Sequence, residues 1–143
     1  MSAPLNRLLR IMARLRSPKG CPWDREQTHR SMIRCLRDEA KEVIHAIETD
    51  DAHGLREELG DLLLQVVFHA QLAREKKKFD FNDVVTTLTR KLVRRHPHVF
   101  GNSRARDTKA VLQQWHEIKV REKRDRRHAR NRPRKAPARS PRR

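Results

Sequence analysis

Residues 55–70, LREELGDLLLQVVFHA, constrain the fold more than any other stretch of the chain. Leu55, Leu59, Leu62, Leu63, Val66, Val67 and Ala70 recur at three- and four-residue steps, which puts them on one stripe of a helix. The same period runs through Leu5, Leu8, Leu9, Met12 and Leu15, and through Ile33, Leu36, Ala40, Val43, Ile44 and Ile47. It returns in Val84, Val85, Leu88, Leu92 and Val93, and in Val111, Leu112, Trp115 and Ile118. No segment alternates with period two for long enough to make a strand. The expected fold is all-α, a helical bundle.

Punctuation divides these stripes. SPKGCPWD, with two prolines and a glycine, ends the first helix, and TDDAHG separates the second from the third. Asp24 and Gln27 have the spacing of a capping box for the second helix. Asp80 or Asn82 suits the start of the fourth, Pro97 stops it, and Thr108 suits the start of the fifth.

Charge divides the chain again. Of 35 Lys and Arg, 12 lie in residues 121–143 beside two acids, three prolines and no Val, Ile, Leu or Phe. Such a segment buries too little apolar surface to offset its ordering entropy, so a disordered basic tail is expected over 123–143, after a domain over 1–122. The tail's charge suits non-specific nucleic-acid binding, or a role in solubility or localisation. A domain this small has a modest core, which dimerisation would complete. Cys21 and Cys35 fit neither a redox pair nor a zinc site, and read as reduced thiols of a cytoplasmic protein. No apolar run is long enough for a membrane span, and the N-terminus lacks the apolar core of a signal peptide.

Against this basic background two acidic stretches stand out: DEAKE, with Asp38, Glu39 and Glu42, and EELGD, with Glu57, Glu58 and Asp61. Residues three apart are neighbours on a helix, so Glu39 faces Glu42 and Glu58 faces Asp61, each pair repelling by a few tenths of a kcal/mol. A short turn near Asp50–Gly54 makes the two helices antiparallel. Glu42 and Glu58 then lie about 10 Å and 6 Å from the turn, level to within one helical turn. Four carboxylates gathered at the rim of the core suit a hard divalent cation such as Mg²⁺. The alternative is a set of exposed acids pairing with nearby Lys and Arg. No His or Cys belongs to the cluster, which argues against zinc.

The ordered blocks GCPWDREQTH, DEAKEVIHAI, LREELGDLLLQVVFHAQLA, FDFNDVV, KLVRRHPHVFG and QWHEIK closely resemble the MazG-type nucleoside triphosphate pyrophosphohydrolases over roughly residues 5–122. The resemblance implies an all-α enzyme, usually a homodimer, that cleaves nucleoside triphosphates to the monophosphate and pyrophosphate with Mg²⁺, for which Mn²⁺ can substitute. It places the metal ligands at Glu39, Glu42, Glu58 and Asp61. Nucleotide contacts fall on Lys91, Arg95, Trp115 and Lys119. Members of the family often carry two such domains. Two positions depart from the family pattern: Asp38, where a second Glu is usual, and Lys41, where an aromatic is common.

Each of these residues also has an ordinary reading. Trp115 lies on an apolar stripe and suits a core, while Lys91 and Arg95 suit a solvated basic face. Glu42 and Asp38 are both candidates for the base that takes a proton from water. His96 and His98 flank Pro97 in a helix-ending loop. Trp23 is either a pocket wall or a plug at the bundle end. Clearance of surplus or non-standard nucleotides is the expected role; a nucleic-acid-binding or regulatory protein on a degenerate pyrophosphatase domain is the alternative.

Overall fold

A computed structural model describes residues 2–131, with side chains through residue 127. Every regular element among the described residues is helical: α1 (Ala3–Leu15), α2 (Pro22–Glu26), α3 (Ile33–Glu48), α4 (Ala52–Glu75), α5 (Phe81–Arg95), α6 (Pro97–Phe100) and α7 (Thr108–Asn131). They form two compact units that divide between Thr86 and Thr87, inside α5.

The first unit is an α3–α4 hairpin with α1 packed on α4. Its turn is fixed by backbone chemistry. Asp50 takes a left-handed conformation (φ 57°), and the amides of Asp50 and Asp51 donate to the carbonyls of Ile47 and Ala46 at 3.3 and 3.0 Å. This satisfies the end of α3 in a Schellman arrangement. The Asp51 side chain then accepts from the amides of His53 and Gly54, capping α4. Lys77 (φ 52°) closes α4 in the same way. Met12, Met32, Val67, Phe68 and Leu72 are buried together, with Leu8, Leu9, Cys35, Leu64 and Phe81 packed around them.

The apolar stripes are only partly covered. Ile44 (53% exposed), Ile47 (59%), Leu59 (50%) and Leu63 (40%) leave an apolar face of the hairpin open to solvent.

Arg16 ties the ends of this unit together. Its guanidinium makes a bidentate pair with Glu75 at 2.8 Å, donates to the backbone carbonyls of Asp24 and Gln27, and lies over the Phe68 ring. These bonds hold the Glu75 carboxyl below its ordinary pKa, with burial opposing. His29, in the α2–α3 connector, stacks on His69 of α4 with the Nδ1 atoms 2.8 Å apart, so one ring donates and the other accepts.

Three local expectations change. Asp24 and Gln27 form no capping box for α3. Pro22 starts a separate short helix there, Gln27 Nε2 closes on the Trp23 carbonyl, and α3 begins only at Ile33, without a side-chain cap. A reciprocal box does open α5, where Asp80 and Asp83 each accept from the other's amide. Asp107 rather than Thr108 caps α7, accepting from the Ala110 amide. Finally, α7 continues past residue 122, so 123–131 of the expected tail are helical. Arg and Lys are good helix formers, and composition alone undervalued them. Residues 132–143 of that tail lie outside the described residues.

Two tests follow from the first unit. Arg16→Gln strips one fork from Glu75 and two part-buried carbonyls, and should cost about 1–3 kcal/mol in urea unfolding. His69 is held below the ordinary histidine value of 6.5 by burial, then by His29. Its folded state therefore binds protons less readily than the unfolded chain. Its stabilisation is complete above 6.5 and is lost as pH falls through the lowered pKa. Thermal melts should show Tm dropping between about pH 7 and 5, and His69→Gln should flatten that drop.

Candidate functional site

The hairpin places Glu39 of α3 against Glu58 and Asp61 of α4. One carboxylate oxygen from each lies within 4.8 Å of the others. Glu39 and Glu58 are half-buried and Asp61 is exposed. The crowding has an electrostatic signature. The Glu39 carboxyl is pushed above its usual pKa by burial, then by the charges of Asp61, Glu58, Asp38 and Glu42. Glu42 stands outside the close triad, on the next turn of α3, but near enough for its charge to reach Glu39.

Lys and Arg make up 35 of the 143 residues, yet among the described residues none forms an ion pair with Glu39, Glu42, Glu58 or Asp61. Other acids do find partners. Asp38 is held by Arg34 (3.6 Å) and Lys41 (3.3 Å), so the lysine in the second departure from the family pattern neutralises the aspartate in the first. The reading of the cluster as exposed acids that pair with nearby cations therefore fails for these four.

The donor set fits a hard cation. Oxygens around Mg²⁺ at about 2.1 Å lie roughly 3–4 Å apart, and modest rotamer changes bring a 4.8 Å group to that spacing. The triad is compatible with a divalent metal. Gln65, one turn beyond Asp61 on α4, is 2% exposed, and its side-chain oxygen has no hydrogen-bond partner. Sequence reasoning passed over it, although a lone amide inside LLLQVVF was the available signal.

The second unit holds the other predicted residues. Arg95 donates to Glu122 (2.7 Å), which also receives Arg94, and the bonds from Arg95 and then Arg94 hold the Glu122 carboxyl at about 2 against the cost of burial. Trp115 is half-buried, with the Arg95 guanidinium 5.7 Å and the Lys119 ammonium 4.3 Å from its ring centre. A base stacking on this ring competes with those cations. Lys91 makes no ion pair among the described residues, which leaves it free to meet an anion. His96 Nδ1 lies 2.6 Å from the Leu92 carbonyl, closing α5 as a helix-ending histidine should. Trp23 is 55% exposed and so plugs no core within the chain.

Comparison with known proteins agrees with this chemistry. The family model described as the MazG nucleotide pyrophosphohydrolase domain matches residues 27–100, which include the triad, Glu42, Lys91 and Arg95. A nucleoside triphosphate pyrophosphohydrolase of Escherichia coli K12 is 51% identical over 120 residues, covering 83% of this chain and 46% of that protein. The nucleoside triphosphate pyrophosphohydrolase/pyrophosphatase MazG of Thermotoga maritima is 53% identical over 116 residues, covering 81% and 44%. The chain thus spans a little under half the length of these relatives. The crystal structure of a mazG-related protein from Thermotoga maritima superposes with a TM-score of 0.66 at 27% identity, covering 80% of this chain and 98% of that one. By the matched residues, the helical fold and the identity to these relatives, the chain belongs to the MazG nucleotide pyrophosphohydrolase domain family.

Proposed function

We propose that the protein hydrolyses nucleoside triphosphates, ribo- or deoxyribo-, to the monophosphate and pyrophosphate, and so clears surplus or non-standard nucleotides in the cytoplasm. The observation that carries this reading is the triad of Glu39, Glu58 and Asp61, which forms no ion pair among the described residues of a strongly basic chain of this family. Mg²⁺, with Mn²⁺ as a substitute, is the proposed ion, held by these three, with Glu42 beside them on α3. When bound, it supplies neutralisation of phosphate charge and a more acidic water.

The chain's own residues then divide the work. Asp38 is engaged by Arg34 and Lys41, which leaves Glu42 as the carboxylate free to accept a proton from water. Lys91 holds phosphate charge as pyrophosphate leaves, and Arg95, anchored by Glu122, presents a fixed guanidinium. Trp115 and Lys119 receive the nucleoside end, where stacking on an indole gives weak base preference. The uncovered apolar face of the α3–α4 hairpin supports a homodimer. The basic sequence beyond residue 131 is assigned an accessory part in retaining polyanions.

A panel of NTPs and dNTPs with Mg²⁺, scored for monophosphate and pyrophosphate, tests the reaction; no turnover on any of them refutes it. Asp61→Asn and Glu58→Gln should each lower kcat at least about 100-fold and abolish the rise in Tm on adding Mg²⁺. Glu42→Gln should lower kcat comparably while keeping that rise, and loss of both would make it a ligand rather than the base.

A further inference from the structure

Gln65 is the one polar residue buried among the described residues, and its side-chain oxygen meets no donor. Such a group is costly to keep, and in a native protein it marks strain, a catalytic part or a place for water. An apolar residue at this position of LLLQVVF would avoid that cost.

The neighbours of Gln65 fix its place. Glu58 lies seven residues before it, nearly two whole turns of helix, and Asp61 and His69 lie one turn to either side, so all four share one face of α4. Glu58 and Asp61 meet Glu39 of α3, and His69 meets His29 just ahead of α3. Gln65 therefore lies in the seam between α3 and α4, about 6 Å along the axis from Asp61 and as far from His69. Cys35, one turn before Glu39, is level with it across the seam. Helical side chains lean toward the start of their helix, which for Gln65 is toward Asp61 and Glu58.

None of these neighbours satisfies the oxygen. Ionised carboxylates accept and do not donate. His29 and His69 are engaged with each other through Nδ1. The Cys35 thiol, a weak donor, makes no bond to it. The missing donor comes from outside the chain, and water suits the place. One of its hydrogens serves the amide oxygen and the other a carboxylate, which leaves its lone pairs facing the space among the acids.

We infer that Gln65 is a positioning residue of the acidic site: its amide oxygen accepts from a water held among Glu39, Glu58 and Asp61 and turns that water's lone pairs toward the divalent ion. This role rests on the hydrolytic reading. It is the part that outer hydrogen bonds commonly play around a metal, orienting what binds there without touching the ion.

Three measurements on the full chain test it: Tm without metal, the rise of Tm through a Mg²⁺ titration, and kcat and KM for a nucleoside triphosphate at saturating Mg²⁺. Gln65→Met fills the same space without the oxygen. Its metal-free Tm should equal or exceed that of the wild type, because an unsatisfied group is gone. Its Mg²⁺ midpoint should rise at least about 10-fold and kcat fall at least about 10-fold, with KM kept within about 2-fold. Gln65→Glu keeps an acceptor at the same reach and should return the Mg²⁺ midpoint to the wild-type value or below. A Gln65→Met chain with wild-type midpoint and kcat overturns the role of Gln65 and leaves the hydrolytic reading standing. So does a lower metal-free Tm in Gln65→Met, or a Gln65→Glu chain that responds to Mg²⁺ no better than Gln65→Met, since the side chain then serves packing. A wild-type chain with neither Mg²⁺ response nor turnover overturns the hydrolytic reading, and the role of Gln65 with it.

Discussion

The turn between α3 and α4 is the constraint on which the rest depends. Asp50 in the left-handed region and Asp51 as the cap of α4 leave three residues, 49–51, to reverse the chain. So short a connection fixes the register of the two helices. That register sets Glu39 against Glu58 and Asp61 rather than against the apolar residues beside them. One added residue would turn α4 by about 100° relative to its start and carry both of its acids away from α3. Backbone hydrogen bonds at the end of α3, and not attraction among the acids, therefore hold the cluster together. The acids themselves repel: burial first, and then the charges of Asp61, Glu58, Asp38 and Glu42, push the Glu39 carboxyl above its usual pKa.

The way charge is allotted separates structure from site. Glu75 is clasped by Arg16, Glu122 by Arg94 and Arg95, and Asp38 by Arg34 and Lys41. Those acids fasten helices or offset their own cations. Among the described residues Glu39, Glu42, Glu58 and Asp61 receive no such partner, in a chain with a formal net charge of +17. Cations are abundant enough that their absence here is informative. A carboxylate group kept clear of Lys and Arg remains available to a metal ion.

Much of this was legible from residue spacing. The stripes of α3 and α4 and the turn between them follow from three- and four-residue recurrence and from TDDAHG, and counting residues on either side of the turn brings the two acidic stretches level, although the count set Glu58 beside Glu42 and the structure sets it beside Glu39. What escaped depends on long-range packing. Arg16 looks like any surface arginine until Glu75, 59 residues away, comes beside it. His29 and His69 are 40 residues apart and have no motif between them. Local rules failed where two signals competed. Pro22 and Gln27 made a small helix of their own in place of a cap for α3, and the high helix propensity of Arg and Lys prevailed over tail-like composition as far as residue 131. Glu42, which spacing and the family resemblance both set with the other three, is not among the acids whose oxygens lie within 4.8 Å of one another.

The open apolar face of the hairpin and the acidic triad lie on the same two helices, and this links their energetics. Leu59 and Leu63 alternate with Glu58 and Asp61 along α4, and Ile44 and Ile47 follow Glu39 and Glu42 on α3, so whatever covers the apolar residues reduces the water available to the acids. In the proposed homodimer, lower local dielectric strengthens the repulsion among the carboxylates and their attraction for a divalent ion alike. Metal uptake would then favour association, and association would favour metal uptake by the same free energy. The charge left unpaired on α3 and α4 and the apolar surface left uncovered beside it are, on this argument, two halves of one binding equilibrium.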